Sequence, residues 1–231
     1  MCGRYYRMSD KQKIAEAFHV GKVDDFPLPP WDYNVAPTTM QPIIRANRDT
    51  GERELVQLRW GLMPYGMTAE QIKRLSTVNA KAENITKGIW ARPFSKHRCL
   101  VPASGFYEWK KLEGKNKQPF GFDLANGQMM AFAGIWDAWK EPKKSPQDID
   151  RWIQSYTIIT TEANELMAPI HQRMPVILHA GEFDRWLSRE ESHQPPIDLL
   201  RPFPADEMEV FEVSKDVGNV KNNSVELLNS K

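Results

Sequence analysis

The central part of the sequence consists of short apolar or aromatic runs, each a few residues long and each ended by turn-forming residues. Runs of this length and composition are typical of strands. The dipeptide Asn126-Gly127 favours a tight hairpin turn and predicts that residues 119–124 pair with residues 129–136. The other runs are Cys99–Val101, Gly105–Trp109 and Phe120–Phe122. The middle of the chain is therefore predicted to be sheet.

Helical patterns are present but brief. Ser9 and Gln12 have the spacing of a capping box and predict a helix that ends at Gly21. Thr68 and Gln71 repeat the pattern ahead of a second short helix. Further strands are expected at 41–46, 54–60, 155–160, 175–178 and 208–213, with a hairpin turn at 48–51 and helices near 162–168 and 182–187.

Strands outnumber helices in this pattern, and strands do not alternate regularly with long helices. The predicted fold class is therefore α+β, a single domain over residues 1–231 on a curved, mostly antiparallel β-sheet (barrel-like) with short flanking helices. The polar, proline-bearing segment 140–151 is expected to be a surface loop. No G-x-G-x-x-G or P-loop motif is present, so nucleotide-binding α/β folds gain no support.

Composition excludes several classes of protein. No apolar run approaches the roughly 18 residues that a membrane span needs, and the N-terminus lacks the apolar segment of a signal peptide. Two cysteines cannot build a disulfide framework, and no metal-ligand spacing occurs, so neither a metal nor a cofactor is predicted.

The charge of the chain is nearly balanced, at +1, but it is unevenly distributed. Residues 81–118 hold nine Lys or Arg against three Asp or Glu, and residues 182–212 hold the reverse. Such polarity can create one basic face that attracts phosphate. A solvated surface of mixed charge is an equally good interpretation of the charge pattern alone.

Cys2 is the most informative residue for chemistry. A small residue after Met1 usually permits removal of that Met, which leaves an α-amine beside a thiol. The reference pKa values are about 7.7–8.0 for the amine and about 8.5 for the thiol, so both are partly nucleophilic near neutrality. The amine can form a Schiff base with an aldehyde, after which the thiol closes a thiazolidine ring. Alternatively, the amine can act as a general base for the thiol.

Three further residues could take part. Glu108 lies between aromatic residues, and alternation places it on the same face as Phe106; burial there would prepare it as a general acid, whereas an outward-facing Glu would have no such role. His171, before a predicted strand and close to Arg173, could transfer a proton or bind phosphate, or could be structural. Asn79 could orient a nucleophile or simply occupy a turn.

Taken together, segments along nearly the whole chain resemble the SRAP (SOS response-associated peptidase) family of abasic site processing proteins, in its compact bacterial form. They are Met1–Arg4, Tyr33–Thr38, Arg59–Pro64, Asn79–Ala80, Gly105–Lys110, Phe132–Trp136, Ile170–Leu178 and Val217–Asn222.

The resemblance implies a cytoplasmic, nucleoid-associated monomer that senses and processes abasic sites in single-stranded DNA. The mature Cys2 would form a thiazolidine cross-link after autoprocessing of Met1, with lyase-like or peptidase activity as a further implication. Asn79 would hold Cys2 and the sugar, Glu108 would assist ring opening, and His171 would act near the 3′ phosphate. The implied DNA-binding residues are Arg4, Lys81, Thr160 and Arg173.

The chain departs from the family pattern at two places. Lys81 stands where the family commonly has Arg, so the charge is retained but the bidentate fork is lost. Gly66 and Met67 occupy a stretch where a Trp is common, which would leave Tyr65 to stack at a DNA junction.

Two other functions compete with this interpretation. An N-terminal-nucleophile amidohydrolase or peptidase would also expose Cys2, but would hydrolyse an amide through a thioester. A non-catalytic single-strand-binding module would bind DNA without forming any cross-link.

Overall fold

The computed structural model describes residues 2–21, 23, 27–28, 30–145, 147–148, 151–189 and 194–229. The strands are β1 Arg4–Arg7, β2 Asp32–Val35, β3 Met40–Ala46, β4 Arg53–Trp60, β5 Asn79–Lys81, β6 Arg98–Ala103, β7 Gly105–Lys111, β8 Lys117–Leu124, β9 Met130–Lys140, β10 Trp152–Glu162, β11 Arg173–Pro175 and β12 Met208–Glu212. The helices are α1 Lys11–Phe18, α2 Ala69–Lys73, α3 Gly88–Lys96 and α4 Phe183–Leu187. None of the helices within these ranges is long and apolar enough to cross a membrane.

The strands form two sheets. One has the order β12-β8-β7-β1-β2 and is antiparallel throughout. The other has the order β11-β10-β4-β3-β6-β9 and closes through pairing of β9 with β10, which makes a five-stranded barrel. Two parallel pairings, β10 with β4 and β10 with β5, interrupt the antiparallel pattern. The predicted α+β, barrel-like architecture is confirmed, although the strands divide between two sheets rather than one.

The first sheet is buried on both faces. Tyr5 and Phe106 belong to the apolar cluster shared with the barrel, whereas Tyr6 and Tyr107 belong to a second cluster on the opposite face. Because side chains alternate along a strand, a sheet covered on both sides needs apolar residues at consecutive positions. This explains why aromatic residues occupy the consecutive positions Phe106 and Tyr107.

Several local predictions are confirmed. Strands β3 and β4 pair as an antiparallel hairpin, and the turn between them closes on Asn47, whose carbonyl accepts from the Gly51 amide at 3.1 Å. Thr68 and Gln71 form both hydrogen bonds of the predicted capping box at the start of α2. The strand expected at 155–160 lies within β10, and the helix expected at 182–187 matches α4.

The hairpin predicted at Asn126-Gly127 is wrong. The dipeptide does form a turn, in which the Gly127 amide donates to the Leu124 carbonyl at 2.9 Å. The two flanking strands, however, belong to different sheets: β8 pairs with β7 and β12, while β9 pairs with β6 and β10. The turn therefore passes the chain from one sheet to the other, because each strand finds its partner elsewhere.

Two helix predictions also need correction. Helix α1 is capped by Asp10 rather than Ser9, since the Asp10 carboxylate accepts from the Lys13 amide at 2.9 Å. Residues 162–168 form the end of β10 and a series of turns instead of a helix. There the buried Asn164 accepts from the Met167 amide at 2.9 Å and donates to the Phe203 carbonyl at 2.8 Å, so this segment is tied to a distant loop.

Candidate functional site

Cys2 lies just before β1, fully buried in the apolar cluster that also contains Tyr5, Trp60 and Phe106. Its sulfur contacts the Arg4 carbonyl at 3.9 Å, the geometry of a weak S–H donor. Burial raises the pKa of the Cys2 thiol well above its usual range, and the negative charge of Glu108 raises it further. The thiol is therefore protonated at neutral pH.

Glu108 reaches Cys2 through the pairing of β1 with β7, in which Tyr5 lies opposite Phe106. Phe106 belongs to the cluster around Cys2 and Tyr107 faces away from it, so alternation places Glu108 on the Cys2 side. The Glu108 side chain is buried, with 3% of the residue exposed. The prediction that Phe106 and Glu108 share a face is confirmed, and the interpretation of Glu108 as outward-facing is wrong.

Asn79 is the first residue of β5, which runs parallel to β10 and places Asn79 opposite Ile158. It is buried, and its Nδ2 makes no hydrogen bond with any described residue. Ile158 belongs to the same apolar cluster as Cys2. Because buried polar groups in native proteins are nearly always paired, an unpartnered amide donor here is suited to a ligand.

His171 contacts the backbone of Arg173 through its ring nitrogen Nδ1. This nitrogen lies 3.0 Å from the Arg173 amide nitrogen, a donor, and 3.1 Å from the Arg173 carbonyl oxygen, an acceptor. The tautomer of the ring decides which of the two hydrogen bonds forms. Either contact holds the half-buried ring beside Arg173.

Arg173 is held by two partners rather than standing free. Its guanidinium makes a bidentate ion pair with Glu83, whose hydrogen bond to Arg173 lowers the pKa of the Glu83 carboxyl. It also donates to the Thr160 carbonyl at 2.6 Å. Strand pairing places Thr160 opposite Lys81. The structure thus brings three of the predicted DNA-binding residues together.

Within this group, the residues differ in accessibility. Lys81 is exposed, Arg173 is half-buried, and Thr160 is fully buried. Because Thr160 is buried, its role is to position Arg173: the backbone carbonyl of Thr160 accepts a hydrogen bond from the Arg173 guanidinium.

Arg4 lies in a different network. Its guanidinium donates to the Asn34 side chain at 2.6 Å and to the carbonyls of Val217 and Gly218 at 2.7 and 3.3 Å. Burial lowers the pKa of Arg4. Most of its donors are thus engaged within the protein, where they connect β1 to the segment near the C-terminus.

Sequence reasoning missed three residues that shape the site. Asn34 and Glu83 both lie in or beside motifs that were recognised, but nothing local indicated their distant partners. The third is Tyr156, whose hydroxyl lies 2.9 Å from that of Tyr5 in the core next to Cys2. Both phenols are fully buried, and burial raises both pKa values.

The sequence is similar to a known protein family along most of its length. The sequence model of the family described as SOS response associated peptidase (SRAP) matches residues 1–220. The abasic site processing protein YoqW of Bacillus subtilis is 39% identical over 236 residues, which cover 100% of both chains. The abasic site processing protein HMCES of Gallus gallus is 30% identical over 226 residues, covering 85% of this chain and 65% of its own.

Solved structures share the fold. A protein from Bacteroides thetaiotaomicron superimposes with a TM-score of 0.80 at 27% identity, covering 93% of each chain. A protein from Bordetella bronchiseptica gives a TM-score of 0.75 at 27% identity, covering 92% of this chain and 100% of its own. With the family match over most of the sequence and relatives aligned along its full length, the chain belongs to the SOS response associated peptidase (SRAP) family.

Proposed function

We propose that this protein senses and processes abasic sites in single-stranded DNA by forming a covalent bond through Cys2. The observation that carries the proposal is the burial of the second residue of the chain, a cysteine, beside the carboxylate of Glu108. Relatives that align over the full chain are named abasic site processing proteins. The activity requires that Met1 be removed, because only then does Cys2 carry a free α-amine.

The proposed reaction joins an aldehyde to an aminothiol. The Cys2 amine attacks C1′ of the ring-opened abasic sugar, and loss of one water gives a Schiff base. The thiol then adds to the same carbon while its proton passes to the nitrogen, which closes a five-membered thiazolidine. Two bonds to C1′ form, one water leaves, and no oxidant or metal is needed.

The raised pKa of the thiol sets the order of these steps. A buried, protonated thiol is a poor first nucleophile, whereas an α-amine, whose reference pKa is about 7.7–8.0, is partly unprotonated near neutral pH. The amine therefore attacks first. Glu108, whose charge acts on the thiol, relays the thiol proton to the nitrogen as sulfur adds to the Schiff base.

The remaining residues bind and orient the sugar and its phosphates. Asn79 directs its unpartnered Nδ2 to the open sugar. His171, held against the Arg173 backbone through Nδ1, contacts the 3′ side of the abasic nucleotide. Lys81 and Arg173 neutralise backbone phosphates, with Thr160 positioning Arg173 and Arg4 contributing at the N-terminal strand.

Two finer activities are part of this proposal, one on the Schiff base and one that precedes it. Loss of a C2′ proton from the Schiff base, followed by departure of the 3′ phosphate, would be lyase chemistry with His171 as the acid or base. Hydrolysis of the Met1–Cys2 bond, which consumes one water, would be the only peptidase reaction required. We propose that the protein acts as a monomer on chromosomal DNA in the cytoplasm.

Denaturing electrophoresis with an abasic oligonucleotide tests the proposal. The wild-type protein should give a denaturant-resistant adduct whose intact mass equals protein plus oligonucleotide minus one water. Cys2→Ala should give none. Cys99→Ala is the matched control, because Cys99 is the other fully buried cysteine and should not affect the adduct.

The same experiment can reject the proposal. Equal adduct on undamaged DNA, or no adduct on either DNA by protein that has lost Met1, contradicts it. A stable thioester with an amide substrate would instead support the amidohydrolase. Binding without any adduct would support a non-catalytic module.

A further inference from the structure

A basic, aromatic cavity lies at the ends of β9 and β10, and the residues proposed above for catalysis and phosphate binding are absent from its lining. It has a volume of about 850 Å³ and is bordered by α3 and by the segment after β4. Its exposed lining side chains are Arg48, Tyr65, Arg92, Lys96, Trp152 and Arg189.

Two large aromatic side chains stand exposed in this cavity. Tyr65 is 57% exposed and Trp152 is 38% exposed. Their rings lie nearly parallel, 13° apart, with centroids separated by 6.3 Å. The two rings stack on each other, and the guanidinium of Arg151 lies 5.7 Å from the centre of the Trp152 ring. Much of both side chains nevertheless remains exposed, and exposed aromatic surface beside cations is where unpaired bases stack.

The cavity also carries an excess of positive charge. Its described lining includes four exposed cations, namely Arg48, Arg92, Lys96 and Arg189. The acidic residue of that lining, Asp137, is buried and pairs with Arg92 at 2.7 Å, so it compensates one of the four. The Arg92 guanidinium lies 5.0 Å above the Tyr65 ring, so a cation and a stacking surface are adjacent. Cations interleaved with aromatic faces match a single-stranded nucleic acid.

Strand β10 shows how far this cavity lies from the Arg173 group. Trp152 begins the strand and Thr160 comes eight residues later. At roughly 3.3 Å per residue, the two positions are about 26 Å apart. A stacked strand rising about 3.4 Å per nucleotide would cover that distance with about eight nucleotides.

We infer that this cavity binds the single-stranded DNA that flanks an abasic site, several nucleotides away from the reacting sugar. Bases stack on Tyr65 and Trp152, while Arg48, Arg92 and Lys96 neutralise the phosphates between them. The inference rests on the proposed function for the identity of the DNA. It adds a second contact that makes affinity depend on the length of the strand.

The test measures binding separately from cross-linking. Fluorescence anisotropy follows undamaged single strands of about 4 and about 16 nucleotides, the range of site sizes of single-strand-binding folds. Lys96→Glu and Trp152→Ala are compared with Lys13→Glu on α1 and Trp31→Ala, an exposed Trp outside the cavity lining. Cross-linking is assayed in parallel with a short abasic strand. Thermal unfolding confirms that each variant is folded.

The wild-type protein should bind the long strand much more tightly than the short one. Each cavity variant should lose about tenfold in affinity for the long strand, which is the effect of one lost base stack or phosphate contact. Neither should change binding of the short strand or its cross-linking. The two control variants should retain the preference for length.

Two results would overturn the inference: no preference for the long strand, or a preference that survives in both cavity variants. Failure of the wild-type protein to cross-link a short abasic strand has a different meaning. It would reject the covalent mechanism, while the anisotropy data on undamaged strands would still decide the role of the cavity.

Discussion

Arg4 and Asn34, which lie on neighbouring strands, share a hydrogen bond of 2.6 Å and jointly hold the segment near the C-terminus. Asn34 donates from Nδ2 to the carbonyls of Val217, Asn219 and Asn222, at 3.2, 3.0 and 2.9 Å. Strand β1, strand β2 and residues 217–222 are far apart in sequence, but these hydrogen bonds join them in one network. Strand β1, which directly follows Cys2 and Gly3, is thereby tied to β2 and to residues 217–222.

Asn34→Ala should therefore destabilise the protein. Its side chain is buried, and its loss leaves several carbonyls without their donor, at about 1–3 kcal/mol for a buried group. In urea unfolding, Asn34→Ala should have its midpoint at a lower urea concentration than the wild-type protein. Asn229→Ala, at an exposed position, should show almost no shift. An unchanged midpoint in Asn34→Ala would mean that the network adds nothing to stability.

Arg173→Ala should weaken binding to single-stranded DNA and reduce its salt dependence. Each lost phosphate contact should flatten the slope of log affinity against log salt by about one unit. Glu83→Gln should act in the opposite direction, because it removes a carboxylate that occupies the guanidinium and repels phosphate.

The Arg185–Asp198 pair supplies the control for that experiment. It is also a bidentate surface ion pair, with contacts of 2.6 and 2.8 Å, but its arginine lies on α4. Arg185→Ala should leave affinity and slope unchanged. If it behaves like Arg173→Ala, the loss reflects overall charge rather than contact with the backbone.

Glu108→Gln and His171→Ala should slow formation or reversal of the cross-link. Both are proposed to move protons, a role that typically contributes ~10²–10⁴ in rate. Single-turnover gel assays with an abasic strand measure both directions. The control variant His179→Ala should keep wild-type rates. If Glu108→Gln and His171→Ala also keep wild-type rates, the acid and base are misassigned.

Alkylation of the two cysteines should reveal the influence of Glu108. Burial raises the pKa of both thiols, but the Glu108 charge contributes only to that of Cys2. Removing the charge in Glu108→Gln lowers the Cys2 pKa, so a larger fraction is thiolate at any given pH. Iodoacetamide labelling is carried out at several pH values between about pH 7 and pH 9 and is measured by mass spectrometry. Cys2 should be labelled faster in Glu108→Gln than in the wild-type protein.

Cys99 is the internal reference in the same spectra. Its labelling rate should not change in Glu108→Gln, since burial alone raises its pKa and Arg45 opposes that shift. Equal acceleration at both cysteines would indicate a loosened core. No acceleration at Cys2 would show that Glu108 does not act on the thiol.

The amine and thiol of Cys2 can be separated chemically. A variant that retains Met1 has an amide in place of the α-amine, so neither Schiff base nor thiazolidine can form. Processed Cys2→Ser keeps the amine and loses the sulfur, so it should give an adduct that borohydride traps but little that survives without reduction. A stable adduct from the Met1-retaining form would remove the amine from the mechanism.

Local features of the structure followed from the sequence because few neighbouring residues determine them. The turn at 48–51 and the capping box of Thr68 and Gln71 depend on nearby backbone angles and hydrogen bonds, and both formed as predicted. The same reasoning found the turn at Asn126-Gly127 but chose the wrong strand partners. Motifs spread along the chain were sufficient to identify the family.

Only the tertiary structure decided which distant residues meet. Pairing of β1 with β7 brings Cys2 to Glu108, and pairing of β5 and β11 with β10 gathers Lys81, Thr160 and Arg173. A turn is set by a few residues, whereas a strand chooses its partner by the apolar surface that the whole sheet buries. That surface is contributed by residues from every part of the chain, so the site emerges only when the two sheets close around their shared core.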